Sequence, residues 1–132
     1  MSDVIPSSES ILAKLGIDQK KIKSINPRDR RRQYRAAVNW LTKEYIPKDD
    51  SNLEKVRCYL EAFHHFCEVE EWEKAGELAF TELETSTQES FVNQIGTWGY
   101  YQQQIDLYLK LLNRLPSDVN ILFLLNIEKA YS

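Results

Sequence analysis

The chain has 132 residues, 42% hydrophobic, with only four Gly and four Pro, a balance that predicts one domain with a real core and excludes disorder throughout. Two cysteines, Cys58 and Cys67, without Cys/His zinc spacing around them exclude a disulfide framework and predict a reducing cytoplasm. No apolar run of about 18 residues is present, nor a basic start ahead of an apolar stretch, so neither a membrane span nor a signal peptide is expected. The net charge of −3 conceals a segregation, with residues 1–43 carrying +6, residues 44–89 carrying −9 and the remainder balanced.

Apolar spacing of three and four along nearly the whole chain predicts helices and gives strands no clear place. Serines before Glu9 and a glycine after Leu15 delimit a short helix, and Asp18 caps a further turn through Ile22 to Ile25. Asn26 followed by Pro27 predicts a helix start, with Asn as cap and Pro at the first helical position, and the helix is expected to run to about Tyr45. Its inward stripe is Tyr34, Ala37, Val38, Leu41 and Tyr45, with Trp40 beside it. The capping-box pattern of Ser51 and Glu54 opens the next helix, whose seam is Leu53, Val56, Leu60, Phe63 and Cys67. Glu68 to Glu71 cover a turn, and Trp72, Ala75, Gly76, Ala79 and Leu83 mark the following helix. Ser86 with Glu89 offers a second capping box before Phe91, Val92 and Ile95; Gly96 and Gly99 bracket Trp98. Tyr101, Ile105, Tyr108, Leu112 and Leu115 line one more helix, and Ser117 or Asp118 caps a last one carrying ILFLLNI. The expected fold is all-α: antiparallel helical hairpins stacked as a short solenoid, with residues 1–25 as an N-terminal extension and 26–132 as one helical-repeat domain.

No constellation in the chain names a reaction. His64, His65, Cys67 and Glu68 are ligand types, but helical spacing joins His64 only to Cys67 or Glu68, and Cys67 belongs to the apolar seam, so no metal site is assigned. A Cys67/His nucleophile pair lacks an orienting group, and the glutamates at 68, 70, 71 and 73 read as a solvated face. No catalytic residue and no cofactor is proposed. Candidate binding residues are those off the seams: Tyr59, Tyr100, Gln102 and Gln103 for a concave surface, and Ile121, Phe123, Leu124 and Ile127 on a final helix that is apolar nearly all round and has no following helix to cover it. That last helix suits self-association or a partner protein. The basic run Arg28, Arg30, Arg31, Arg32 and Arg35 offers the alternative of a phosphate surface, although the acidic pI weighs against a dedicated nucleic-acid binder.

The segment FHHFCEVEEWEKAGELAFTEL resembles the hairpin of a tetratricopeptide repeat, with Phe66 late in the first helix, Trp72 opening the second and Ala75 after it. GYYQQQIDLYLKLLNRLP resembles the later half of such a repeat through Tyr101, Tyr108, Leu111 and Pro116. The chain departs from that pattern at Gln104 (alanine favoured), Phe63 (glycine favoured) and Ala79 (an aromatic favoured). Across residues 33–115, YRAAVNWLTKEYIPKDDSNLEKVRCYLEAFHHFCEVEEWEKA and GTWGYYQQQIDLYLKLL resemble the helical segment beside the nucleotide-binding core of cyanobacterial signal-transduction (STAND) ATPases of the NB-ARC type. The resemblance implies a bacterial adaptor or scaffold in signalling or defence that binds another protein, such an ATPase among them. The string G-x-x-x-x-G-K-[ST] of the ATPase core does not occur in this chain.

Overall fold

The computed structural model describes residues 4–115, and these are helical throughout apart from turns, loops and one isolated β-bridge, between Glu82 and Ser90. Helix α1 (Ser8–Leu15) begins where Ser7 Oγ accepts the Ser10 amide, and a 3-10 helix (Gln19–Ser24) begins where Asp18 accepts the Lys20 amide. Helix α2 spans Arg28–Thr42, α3 Asn52–Lys55, α4 Arg57–Glu68, α5 Trp72–Ala79, α6 Phe91–Thr97 and α7 Tyr101–Leu111.

Several boundaries differ from the sequence expectation, each for a local reason. Pro27 is extended (φ −74°, ψ 179°) and itself takes the N-cap position, so α2 starts one residue later and Asn26 does not cap it. The end of α2 falls at Thr42 rather than Tyr45, and Tyr45 instead donates its phenol to Glu54. The seam expected to run unbroken from Leu53 to Cys67 is interrupted at Val56 (φ −115°, ψ 15°), which separates α3 from α4. After Ala79 the chain leaves the helix: Leu83 donates its amide to Glu89 and Phe91 to Thr81, so residues 81–91 form a short two-sided loop. That pairing commits Glu89, and Ser90 rather than Ser86 caps α6 by accepting the Asn93 amide.

Helix α2 lies along α4, α4 pairs with α5, α6 pairs with α7, and α5 touches both α6 and α7. The core is drawn from all of these, with Phe63, Phe66, Phe91, Ile95, Leu107, Tyr108 and Leu111 fully enclosed. Residues 4–25, expected as an extension, share this core through Ile11, Leu12, Leu15 and Ile22, and the Val4 carbonyl accepts the Glu84 amide. The hydrophobic effect of burying side chains of this size, about 1.5–3 kcal/mol each, therefore binds the N-terminal segment to the same cooperative unit.

The α4–α5 and α6–α7 hairpins turn in the same way. Glu71 donates to the Phe66 carbonyl at 2.9 Å and Tyr100 to the Ile95 carbonyl at 2.9 Å, each closing the six-residue loop of a Schellman motif. The left-handed position falls on Glu70 (φ 58°) in one and Gly99 (φ 95°) in the other. The shift between them is 29 residues.

Gln104, which departs from the alanine of the repeat pattern, has a physical reason. Its amide group occupies the place that a Cβ on Gly96 would take, and it donates to the Val92 carbonyl at 3.2 Å. Gly96 thus admits the side chain that ties α7 to α6.

Candidate functional site

The C-terminal parts of α4 and α7 and the start of α5 line an open groove of about 720 Å³, bounded by His64, Cys67, Glu68, Trp72, Asp106, Leu109, Lys110 and Arg114. Leu109 is off the inward stripe of α7, whose buried members are Ile105, Leu107, Tyr108 and Leu111, and it remains 48% exposed. Trp72 forms the floor at the other end, with the Arg114 guanidinium stacked 4.4 Å from its ring centroid. The groove carries charges of both signs, Glu68 and Asp106 against Lys110 and Arg114.

Two of its side chains, His64 and Cys67, are set for neutrality. Lys110 Nζ lies 3.3 Å from His64 Nδ1, and since an ammonium only donates, His64 accepts there as the neutral ring with its proton on Nε2. Burial first, and then the Lys110 charge, hold the His64 pKa below its ordinary value. Burial pushes the Cys67 thiol up to about 11, so it stays protonated near neutral pH and is a packing group rather than a nucleophile. His65 faces the other way, with Nδ1 2.6 Å from Gln33 Oε1. The two histidines therefore serve different surfaces, and among the described residues no three His, Cys, Asp or Glu side chains gather as a metal site.

The sequence-chosen binding residues do not converge on one surface. Tyr59 is a correction: expected at a concave surface, it is 1% exposed and stands edge-on to Phe91 with centroids 5.5 Å apart. It points inward because α4, packed against both α2 and α5, buries a face wider than the expected seam: Cys58, Ala62 and Phe66 are buried along with Val56, Leu60, Phe63 and Cys67. Tyr100 is half-buried, its hydroxyl accepting the Leu53 amide at 3.4 Å. Gln102 is exposed and donates to Asp106 at 2.9 Å, and Gln103 is half-buried on the first turn of α7. Ile121, Phe123, Leu124 and Ile127 lie outside the described residues. Leu109, Trp72 and Lys110 escape the sequence reading as binding residues; the available signal is Leu109 itself, a large apolar residue one position past the seam residue Tyr108.

The arginine run divides. Arg30 donates to the Val69 carbonyl at 2.6 Å and pairs with Glu71, which also holds Lys74 at 3.6 Å, and Arg31 donates to the Ile25 carbonyl at 3.2 Å. Glu71 is thereby an anchor between α2 and the α4–α5 turn rather than part of a solvated face. Arg28, Arg32 and Arg35 are exposed and, at spacings of four and three, share one side of α2. A smaller hollow of about 420 Å³ lies between Arg32 and the turn at Glu68 to Glu70, where carboxylates offset the basic side.

No helix among the described residues is long and apolar enough to cross a membrane. Comparison of the chain with protein-family models, with curated proteins and with solved structures gives no match in any of the three.

Proposed function

We propose that this protein is a non-catalytic interaction module whose α4–α5–α7 groove seats an apolar polypeptide segment of another protein. The observation that carries this reading is the exposed Leu109 opposite the Trp72 floor, between charges of both signs. Apolar anchors inside a polar rim are how helix-in-groove and peptide sites gain affinity and register. The protonated Cys67 gives the groove no thiolate, which favours binding over chemistry. The repeated Schellman turns support two degenerate tetratricopeptide-like hairpins as the scaffold, and the resemblance to the helical segment of NB-ARC-type ATPases makes a bacterial signalling ATPase in the cytoplasm the partner class to seek.

Affinity capture with wild-type and Leu109→Glu baits tests it. A partner held by wild type and reduced at least tenfold by the variant, with unchanged circular dichroism, supports the groove; equal capture by both baits contradicts it. The second reading, a phosphate surface, rests on the exposed face of Arg28, Arg32 and Arg35. It predicts nucleic-acid binding that weakens steeply with salt, by roughly one unit of log–log slope per phosphate contact, and that disappears in Arg28→Glu/Arg32→Glu/Arg35→Glu. Apolar docking in the groove changes little under the same titration.

A further inference from the structure

The charges that line the groove are not held alike. Glu68, Asp106 and Arg114 are exposed, whereas Lys110 is half-buried. The Lys110 ammonium has three protons to donate, and it meets the neutral His64 ring at 3.3 Å and no carboxylate within ion-pair distance among the described residues. Asp106 stands one helical turn before it, the favourable order for an ion pair on a helix, but is turned back to accept the Gln102 amide at 2.9 Å. Arg114 also lacks a carboxylate: its guanidinium lies on Trp72 and donates to the Leu112 carbonyl at 3.4 Å.

A segment seated over Leu109 and Trp72 takes the remaining water from Lys110. If it offers only apolar groups, it leaves an ammonium covered and uncompensated, and the desolvation cost offsets the apolar contact. If it offers a carboxylate, the same burial strengthens the attraction. Glu68 and Asp106, being exposed, keep their own water and make no matching demand for a cation. The stack on Trp72 holds the Arg114 fork in place, so a carboxylate meets it with little further loss of side-chain freedom. A phosphoryl group fits less well than a carboxylate. The charges of Glu68 and Asp106 cancel those of Lys110 and Arg114, so a dianion leaves the larger imbalance.

We propose that the segment bound in this groove carries an aspartate or glutamate within one helical turn of its apolar anchor, with the side-chain carboxylate bound by Lys110 and Arg114. The spacing follows from the groove, where Lys110 adjoins Leu109 in the chain and Arg114 lies against Trp72. This rests on the reading of the groove as a seat for an apolar polypeptide, and adds the charge that the seat selects.

The test uses a random peptide library displayed on phage, joined to the coat protein by the peptide C-terminus so that carboxylates come from side chains alone. It is selected on the purified full chain and on Leu109→Gln, which removes the apolar contact without adding charge. Peptides held by wild type and lost on Leu109→Gln should share an acidic residue within four positions of a large apolar one. Converting that acid to its amide in the synthetic peptide should weaken binding to the wild-type protein about tenfold. Selection on Lys110→Glu/Arg114→Glu, with circular dichroism unchanged, should return lysine or arginine at the same place. An apolar consensus lost on Leu109→Gln but indifferent to the acid-to-amide change overturns this inference and leaves the groove reading standing, as does an acidic preference that survives in the double variant. Peptides held equally by wild type and Leu109→Gln, or no peptide held by wild type, count against the groove reading itself and remove this inference with it.

Discussion

Glu71 and Tyr100, 29 residues apart, open the second helices of their hairpins with nearly the same backbone angles, φ −83° and ψ 62° against φ −88° and ψ 63°. Neither side chain caps its helix, so the likeness is a property of the turn rather than of the residue at it. The preceding left-handed residue makes the turn possible, and there the hairpins differ: Glu70 holds a conformation that costs an L-residue about 1 kcal/mol or more, while Gly99 holds its own without that cost.

Exchange at these two positions therefore has opposite signs. Gly99→Ala should lower stability by about 1–2 kcal/mol, and Glu70→Gly should raise it by up to about 1 kcal/mol, less the extra freedom glycine gives the unfolded chain. Urea denaturation with unchanged slope checks both. Equal effects of the same sign would show that the two turns are not equivalent.

At the α6–α7 contact, Gly96→Ala places a methyl group on the Gln104 amide and breaks its bond to the Val92 carbonyl, with an expected loss of about 1–2 kcal/mol. Combined with Gln104→Ala, the added methyl no longer meets the Gln104 amide and gains helix propensity. The double mutant should thus be more stable than the sum of the single changes by about 1 kcal/mol. Strict additivity in the thermodynamic cycle would contradict this packing.

How far the fold is legible in the sequence follows from the same residues. The seams of α2, α4 and α7 repeat at helical spacing because burial imposes that period, so the helices and their inward faces can be read directly. Their ends cannot. Thr81 and Leu83 sit in what looks like a continuing helical pattern, but pairing with Phe91 and Glu89 takes them into a loop, a long-range choice that local spacing does not encode. The same limit hides the groove. Leu109 announces itself as an exposed apolar residue only once His64 and Trp72 are brought beside it, and Arg30 ceases to be part of a basic patch only once Glu71 arrives from another element.

Glu54 is one half of the capping-box pattern, and its backbone amide donates to Ser51 Oγ at 3.3 Å. Its carboxylate, 4% exposed, also pins the loop after α2. It accepts the Tyr45 phenol, the Lys48 amide at 3.0 Å and two bonds from Arg57 at 2.9 and 2.7 Å. The Tyr45 bond first, then the Lys48 amide and Arg57, lower its pKa to about 2. A glutamate in the unfolded chain titrates near 4.5, so the stabilisation is complete above that pH and is lost as the pH falls toward 2. The stability difference between wild type and Glu54→Gln should be constant from neutral pH down to about pH 5 and shrink below about pH 4.5; a flat difference down to the acid limit would contradict the assignment.

Tyr59 carries the one buried side-chain polar atom without a hydrogen-bond partner among the described residues, its hydroxyl. Removing that oxygen removes a desolvation cost while keeping the ring on Phe91. Tyr59→Phe should stabilise the protein by about 1 kcal/mol, seen as a melting temperature a few degrees higher. A lower melting temperature would mean that the hydroxyl has a partner in solution.

The claim that matters most is that the groove, and not the arginine face of α2, meets the partner. Titrating isotope-labelled protein with the captured partner, and following the Leu109 methyls and Trp72 indole against the Arg28, Arg32 and Arg35 amides, tests it most directly. The groove signals should move first and saturate together while the α2 amides stay in place; shifts confined to α2, with Leu109 and Trp72 silent, would contradict it.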